Sequence, residues 1–105
     1  MKVSNMISSR GKKVANQFVI HSVSLLIKDA VLGSDGFVGH KTGVMFQSYE
    51  TYIAFKSYEG QIYLDLNNWN YSQTTSTYRN IFLGETSKET QAKIDSGEYI
   101  LANLN

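Results

Sequence analysis

The sequence predicts an α+β domain: an antiparallel sheet of four to five strands with a central meander, plus two or three short helices. Three observations carry that expectation. The stretch TYIAFKSYEGQIYLDL, residues 51–66, is two β-rich runs around a glycine turn. Thr86-Ser87-Lys88-Glu89 has the S/T-x-x-E form that starts helices, in which hydroxyl and carboxylate each satisfy an orphan amide. The 105 residues contain no proline, so eight glycines carry the punctuation and divide the chain into short elements.

In chain order, residues 1–13 carry Lys2, Arg10, Lys12 and Lys13 with no acidic residue, which reads as a mobile basic N-terminus or as a contact for phosphate or an acidic partner. QFVIHS at 17–22 is strand-like. Val23, Leu26, Ile27, Ala30 and Val31 then recur at i, i+3, i+4, i+7 and i+8 before Gly33, the pattern of an amphipathic helix. GSDGFVGHKTG, 33–43, reads as a glycine-rich connection leading to the strand VMFQSY at 44–49.

Placing Glu59-Gly60 in a two-residue turn pairs Ser57 with Ile62, Phe55 with Leu64 and Ile53 with Leu66, so Ile53, Phe55, Ile62, Leu64 and Leu66 share the core face. Tyr52, Lys56, Tyr58 and Tyr63 fall on the opposite face. A return through Glu50-Thr51 sets Phe46 against Phe55 and Tyr49 against Tyr52, extending both faces to a third strand. A short helix over 75–83 ends at Gly84 with Tyr78, Ile81 and Phe82 on one side; a second over 87–95 ends before Gly97. EYILANL, 98–104, supplies a last strand.

One domain over 1–105, with 42 % apolar and 12 % aromatic residues, has material for a single core and is expected to fold without a cofactor. Ten Lys/Arg against nine Asp/Glu give a net charge of +1, which excludes both a strongly basic nucleic-acid coat and an acidic DNA mimic. Zero cysteine removes thiolate chemistry and disulfides and fits a reducing, cytoplasmic setting. No run approaches the ~18 apolar residues of a spanning helix, so no membrane partner is expected.

Catalytic signatures are missing where they would be legible. Gly39-His40-Lys41-Thr42 resembles the end of a phosphate-binding loop, but a histidine interrupts the glycine-lysine step and a strand-like run follows where a helix is needed. Two histidines, His21 and His40, are too few for a three-histidine metal site, and no nucleophile elbow is present. The expected protein is therefore not an enzyme and holds no metal.

The aromatic content points to binding instead. Tyr49, Tyr52, Tyr58 and Tyr63, with Lys56 among them, form a tyrosine-rich sheet face that suits either a protein interface or stacked bases of single-stranded nucleic acid, with Arg10, Lys12 and Lys13 adding charge. Arg79 is read as locking the YSQTT loop through carbonyl bonds, or else as reaching a partner's carboxylate or phosphate.

SNMISSRGKKVANQF at 4–18, MFQSY at 45–49, WNYSQTTSTYRNIFLGETSKET at 69–90 and SGEYILANLN at 96–105 resemble a family of small proteins carried by phages, prophages and plasmids. Against that pattern, residues 23–42 look like an insertion. The resemblance implies an accessory protein that binds a host protein in the bacterial cytoplasm, with a CRISPR effector or other defence nuclease as the leading target and anti-CRISPR inhibitors as the functional analogue. Single-stranded nucleic acid is the alternative ligand.

Overall fold

The computed structural model describes residues 2–29 and 37–105. The protein is α+β, in the order β1 (Lys2–Ile7), β2 (Lys13–Asp29), β3 (Phe37–Ser48), β4 (Thr51–Ser57), β5 (Ile62–Asp65), α1 (Gln73–Leu83), α2 (Ser87–Asp95) and β6 (Ile100–Asn103). The strands form one six-stranded sheet in sequential order, and β6 also pairs with β2. Strands β2 to β6 thereby close into a ring, with β1 attached outside it along the first half of β2.

The sheet is mixed, where the sequence suggested antiparallel strands throughout. β5 and β6 run parallel, Tyr63 opposite Ile100 and Asp65 opposite Ala102. Between them lies the connection through both helices, long enough to return the chain to the starting end of β5, as a parallel pair requires. Asp65 fastens this closure. Its buried carboxylate accepts the Leu104 amide at 2.9 Å through Oδ1, and through Oδ2 the Asn67 amide at 3.2 Å and Asn68 Nδ2 at 2.6 Å.

The segment expected to start a helix at Val23 is the second half of β2. Val23 and Ile27, four apart, lie on one face in a strand as well as in a helix, so the apolar spacing alone did not discriminate. β-branched residues and pairing with β3 decide for the strand. Ala30, Val31 and the Gly33 stop lie outside the described residues. A straight 17-residue strand at ~3.3 Å per residue would span about 56 Å, beyond the molecule's longest extent of 42 Å, so β2 must bend. The pairing with β3 slips between Ile20 and Val23, where Ser22 has φ 58°; this bulge turns the second half of β2 toward β6.

Both hairpin registers differ from the expected ones. Phe55 faces Tyr63 and Ala54 faces Leu64, one residue away from the Phe55–Leu64 pairing. The loop is Tyr58–Gly60, three residues long, with Gly60 at φ 103° and the Ser57 amide donating to Gln61 O at 2.9 Å. The β3–β4 turn is Tyr49-Glu50 with Tyr49 at φ 56°, and Ile53 is bulged out of the ladder, so Met45 faces Phe55.

Because side chains alternate, these slips divide the expected single core into two. Inside the ring lie Ile20, Val23, Ile27, Met45, Phe55, Tyr63, Ala102 and Leu104. Under the helices lie Met6, Phe46, Ile53, Ala54, Leu64, Phe82 and Tyr99, with Trp69, Tyr78 and Ile62 packed against them. Leu66, expected in the core, is exposed, and so is Ile81 on α1. Gln17 is fully buried, and neither polar atom of its side-chain amide has a hydrogen-bond partner among the described residues.

The helices follow their sequence signals closely. Ser72 caps α1 by accepting the Thr75 amide, and Gly84 at φ 72° ends it. Thr86 and Glu89 form the complete capping box of α2.

Candidate functional site

The tyrosine-rich face does not form as a surface. Tyr63 is 1 % exposed inside the ring, its centroid 6.4 Å from that of Phe55. Tyr52 packs half-buried against the same core, and its backbone N–H and C=O bond the side chain of Asn105 at 2.8 and 3.0 Å. Tyr58 is exposed, but its hydroxyl accepts the Ser22 amide at 3.2 Å and so props the β2 bulge. Tyr49 is exposed at the β3–β4 turn. Lys56 lies beside α1: its ammonium donates to Phe82 O at 2.5 Å and stands 4.3 Å from the Phe82 ring centroid. Burial pushes that ammonium below its usual pKa, against the opposing charge of Glu85. The one-residue register shift is the reason that Tyr63 and Lys56 part company with the others.

The remaining basic candidates are together. Arg10, Lys12 and Lys13 are exposed at the turn joining β1 to β2. Ser8 builds that turn: its amide donates to Lys12 O at 2.8 Å, its carbonyl accepts the Gly11 amide at 2.9 Å, and its hydroxyl accepts the amides of Arg10 and Lys12, each at 3.3 Å. Gly11 supplies the required φ of 78°. Among the described residues none of the three cations has an acidic partner. Next to them, β1 pairs only with β2 among the described strands, so its other edge is open. Met6 is turned into the helix-side core, while Val3 and Ile7 remain 56 % and 49 % exposed.

Arg79 is wholly buried, and it bonds one carbonyl, that of Trp69, and four side chains, none of them within YSQTT, so it does not hold that loop through carbonyl bonds. Its Nη1 donates to the Trp69 carbonyl, to Asn70 Oδ1 at 3.3 Å and to Ser76 Oγ at 3.4 Å; Nη2 donates to Asn80 Oδ1 at 2.9 Å and to Ser87 Oγ at 2.8 Å. The guanidinium carbon sits 5.0 Å from the Trp69 ring centroid. Burial lowers its pKa, opposed by the charge of Glu85. Asn70, Ser76 and Ser87 also line a polar pocket of about 400 Å³, completed by Tyr71, Ser72 and Gln73.

Glu85, between the two helices, was not singled out by its sequence. Its carboxylate accepts Lys93 Nζ at 2.8 Å and Tyr99 OH at 2.5 Å on Oε1, and Thr90 Oγ1 at 2.5 Å on Oε2. Burial raises its pKa, but the bonds from Lys93, Thr90 and Tyr99 outweigh burial and hold it below the usual value. Tyr99 is pushed up to about 12 by burial and by its bond to Glu85. The signal was available: the capping box places Thr90 and Lys93 on one face of α2, three residues apart. His21 and His40 are exposed and far from this cluster in the chain, and no group of metal-ligating side chains occurs among the described residues. No helix among them is long and apolar enough to cross a membrane.

Residues 1–98 match the model of a family of unknown function, DUF8033, and the chain belongs to that family. No curated protein and no solved structure matches it.

Proposed function

We propose that this chain is a non-catalytic binding protein that holds a partner protein by strand addition at the open edge of β1. The observation that carries the reading is that edge itself. A strand with an unpaired side offers a row of backbone donors and acceptors to another chain, and proteins usually cover or charge such edges. Here Val3 and Ile7 are exposed along it, and Arg10, Lys12 and Lys13 sit at its end on a hydrogen-bonded turn. An extended partner segment with apolar residues at alternate positions and acidic residues at one end fits that chemistry. The resemblance to small mobile-element proteins extends the proposal to a host protein, with a CRISPR effector or other defence nuclease as the target class.

The nucleic-acid alternative has lost its stacking platform, because Tyr63 is inside the ring and Tyr52 is half-buried. Only the basic turn and the separate Tyr49 and Tyr58 remain for it. The test uses purified defence nucleases as partners in a binding assay with wild type and with Val3→Glu and Ile7→Glu, neither of which disturbs a buried side chain. The expected result is a stoichiometric complex that either substitution weakens. Salt-dependent, submicromolar binding of an unstructured oligonucleotide, lost on Arg10→Ala with Lys12→Ala, would replace the proposal with the nucleic-acid one.

A further inference from the structure

We infer that the open edge of β1 also takes a second copy of this chain, β1 against β1 antiparallel across a two-fold axis at Asn5. The placement of the apolar side chains carries it. Side chains alternate along a strand, so Val3, Asn5 and Ile7 share one face of β1. Val3 and Ile7 are 56 % and 49 % exposed, and they stand at equal distances on either side of Asn5. An antiparallel pair centred on Asn5 therefore sets Val3 against the partner's Ile7 and Ile7 against the partner's Val3, the self-complementary contact that a two-fold axis requires.

The apolar row continues inward. Val3 pairs with Ile20 of β2, which is buried in the ring core, so Ile20, Val3 and the partner's Ile7 become lateral neighbours on one face. Asn5, at the centre, donates Nδ2 to Val14 O of β2 at 3.0 Å, and that nitrogen keeps its acceptor when the edge is covered. The usual protections against edge pairing are missing from the strand itself. The chain has no proline, and the only charge in β1 is Lys2, its first residue. The register shift beside Asn5 puts its excess residues in β2, which runs from Phe18 to Lys13 while β1 advances only from Asn5 to Ile7.

Size and charge make the pair weak. Two six-residue edges bury less than the ~1,200 Å² of a stable interface, which places the contact among transient associations. The same register brings Lys2 opposite the partner's Ser8, at the start of the turn that carries Arg10, Lys12 and Lys13. Like charges approach at both ends of the pair, so salt strengthens it by screening them. A partner segment with an acidic end meets the opposite sign there. Such a segment displaces the second copy, and self-pairing thereby regulates the edge; this consequence, unlike the pairing, rests on the strand addition proposed above.

The chain has no cysteine, so single introduced thiols report the register. Val3→Cys and Ile7→Cys chains, one of them carrying a size tag, are oxidised together and separately and resolved on a non-reducing gel. Both positions are exposed, so neither substitution empties a core. In the inferred pair Val3 directly faces the partner's Ile7, within disulfide reach, but lies about 14 Å along the strand from the partner's Val3. The mixture should give about tenfold more heterodimer than either variant alone gives homodimer, and Asn5→Cys should cross-link to itself. Wild type, followed by sedimentation from about 10 µM to 1 mM, should gain mass with concentration and with salt. Equal cross-linking in the three reactions, an excess of homodimer as parallel pairing gives, or a wild type that stays monomeric or dissociates as salt rises overturns the inference. None of these outcomes bears on partner binding, which the assay with Val3→Glu and Ile7→Glu reads by itself.

Discussion

Gly43→Ala tests the geometry that closes the ring. Gly43 lies in β3 opposite Ser57 of β4 and opposite Val23, the first residue of β2 after the bulge. A Cβ at Gly43 would lie 2.0 Å from Lys56 O, 2.8 Å from Ser57 Cα and 2.9 Å from the Lys56 carbonyl carbon. Real Cβ contacts essentially never fall below 3.0 Å, so the strands must separate by at least 1.0 Å, the difference between 3.0 and 2.0. All three obstacles are backbone and cannot rotate aside. The adjacent Phe55 is fully buried in the ring, so moving β4 also unpacks its core. Overpacking of this kind costs about 3 kcal/mol. In a domain of this size that lowers Tm by roughly 12–20 °C. Urea titration measures it, with the m value unchanged. Gly60→Ala is the control: nothing lies within 4 Å of its Cβ, but its φ of +103° strains any side chain, at about 1 kcal/mol. A loss below about 1 kcal/mol for Gly43→Ala would refute the close approach of β3 and β4.

Four other outcomes are expected. Tyr63→Ser should cost about 3 kcal/mol or more by emptying the ring, while Leu66→Ser should cost about 0.5 kcal/mol; the reverse order in denaturant titration would restore the two-residue turn at Glu59-Gly60. Gln17→Met should raise stability by about 1–3 kcal/mol because it removes two unpaired buried polar atoms, and a decrease would mean that a buried water holds the amide. Glu85 has a folded pKa below its ordinary 4.5, so its contribution is present above pH 4.5 and is lost as pH falls below that value; the stability advantage of wild type over Glu85→Gln should shrink there in acid titrations. Tyr99 is raised from 10.0 to about 12, so the stability it contributes is present below pH 10 and is lost as pH rises between those values; Tyr99→Phe should flatten the alkaline limb of Tm against pH in that interval.

What the sequence by itself determined was local. α2 over Ser87–Asp95, with its Thr86 and Glu89 box, and α1 ending at Gly84 follow from interactions between residues three or four apart, which no tertiary contact had to supply. Arg79 bonds acceptors from Trp69 to Ser87, all within ten residues of it, but none in the YSQTT loop that the sequence suggested. The tertiary structure decided the rest. Residues 23–29 carried an apolar spacing common to helix and strand, and pairing with β3 and β6 chose the strand. One extra loop residue, Tyr58, and one bulged residue, Ile53, moved Tyr63 inside and Lys56 toward α1, because a strand's faces alternate at every step and a shift of one position exchanges them. The Glu85 cluster and the Asp65 fastening depend on how α1, α2 and β6 fold back on β5. Those angles are set by burial against the second core, and no short window of sequence contains both sides of that contact.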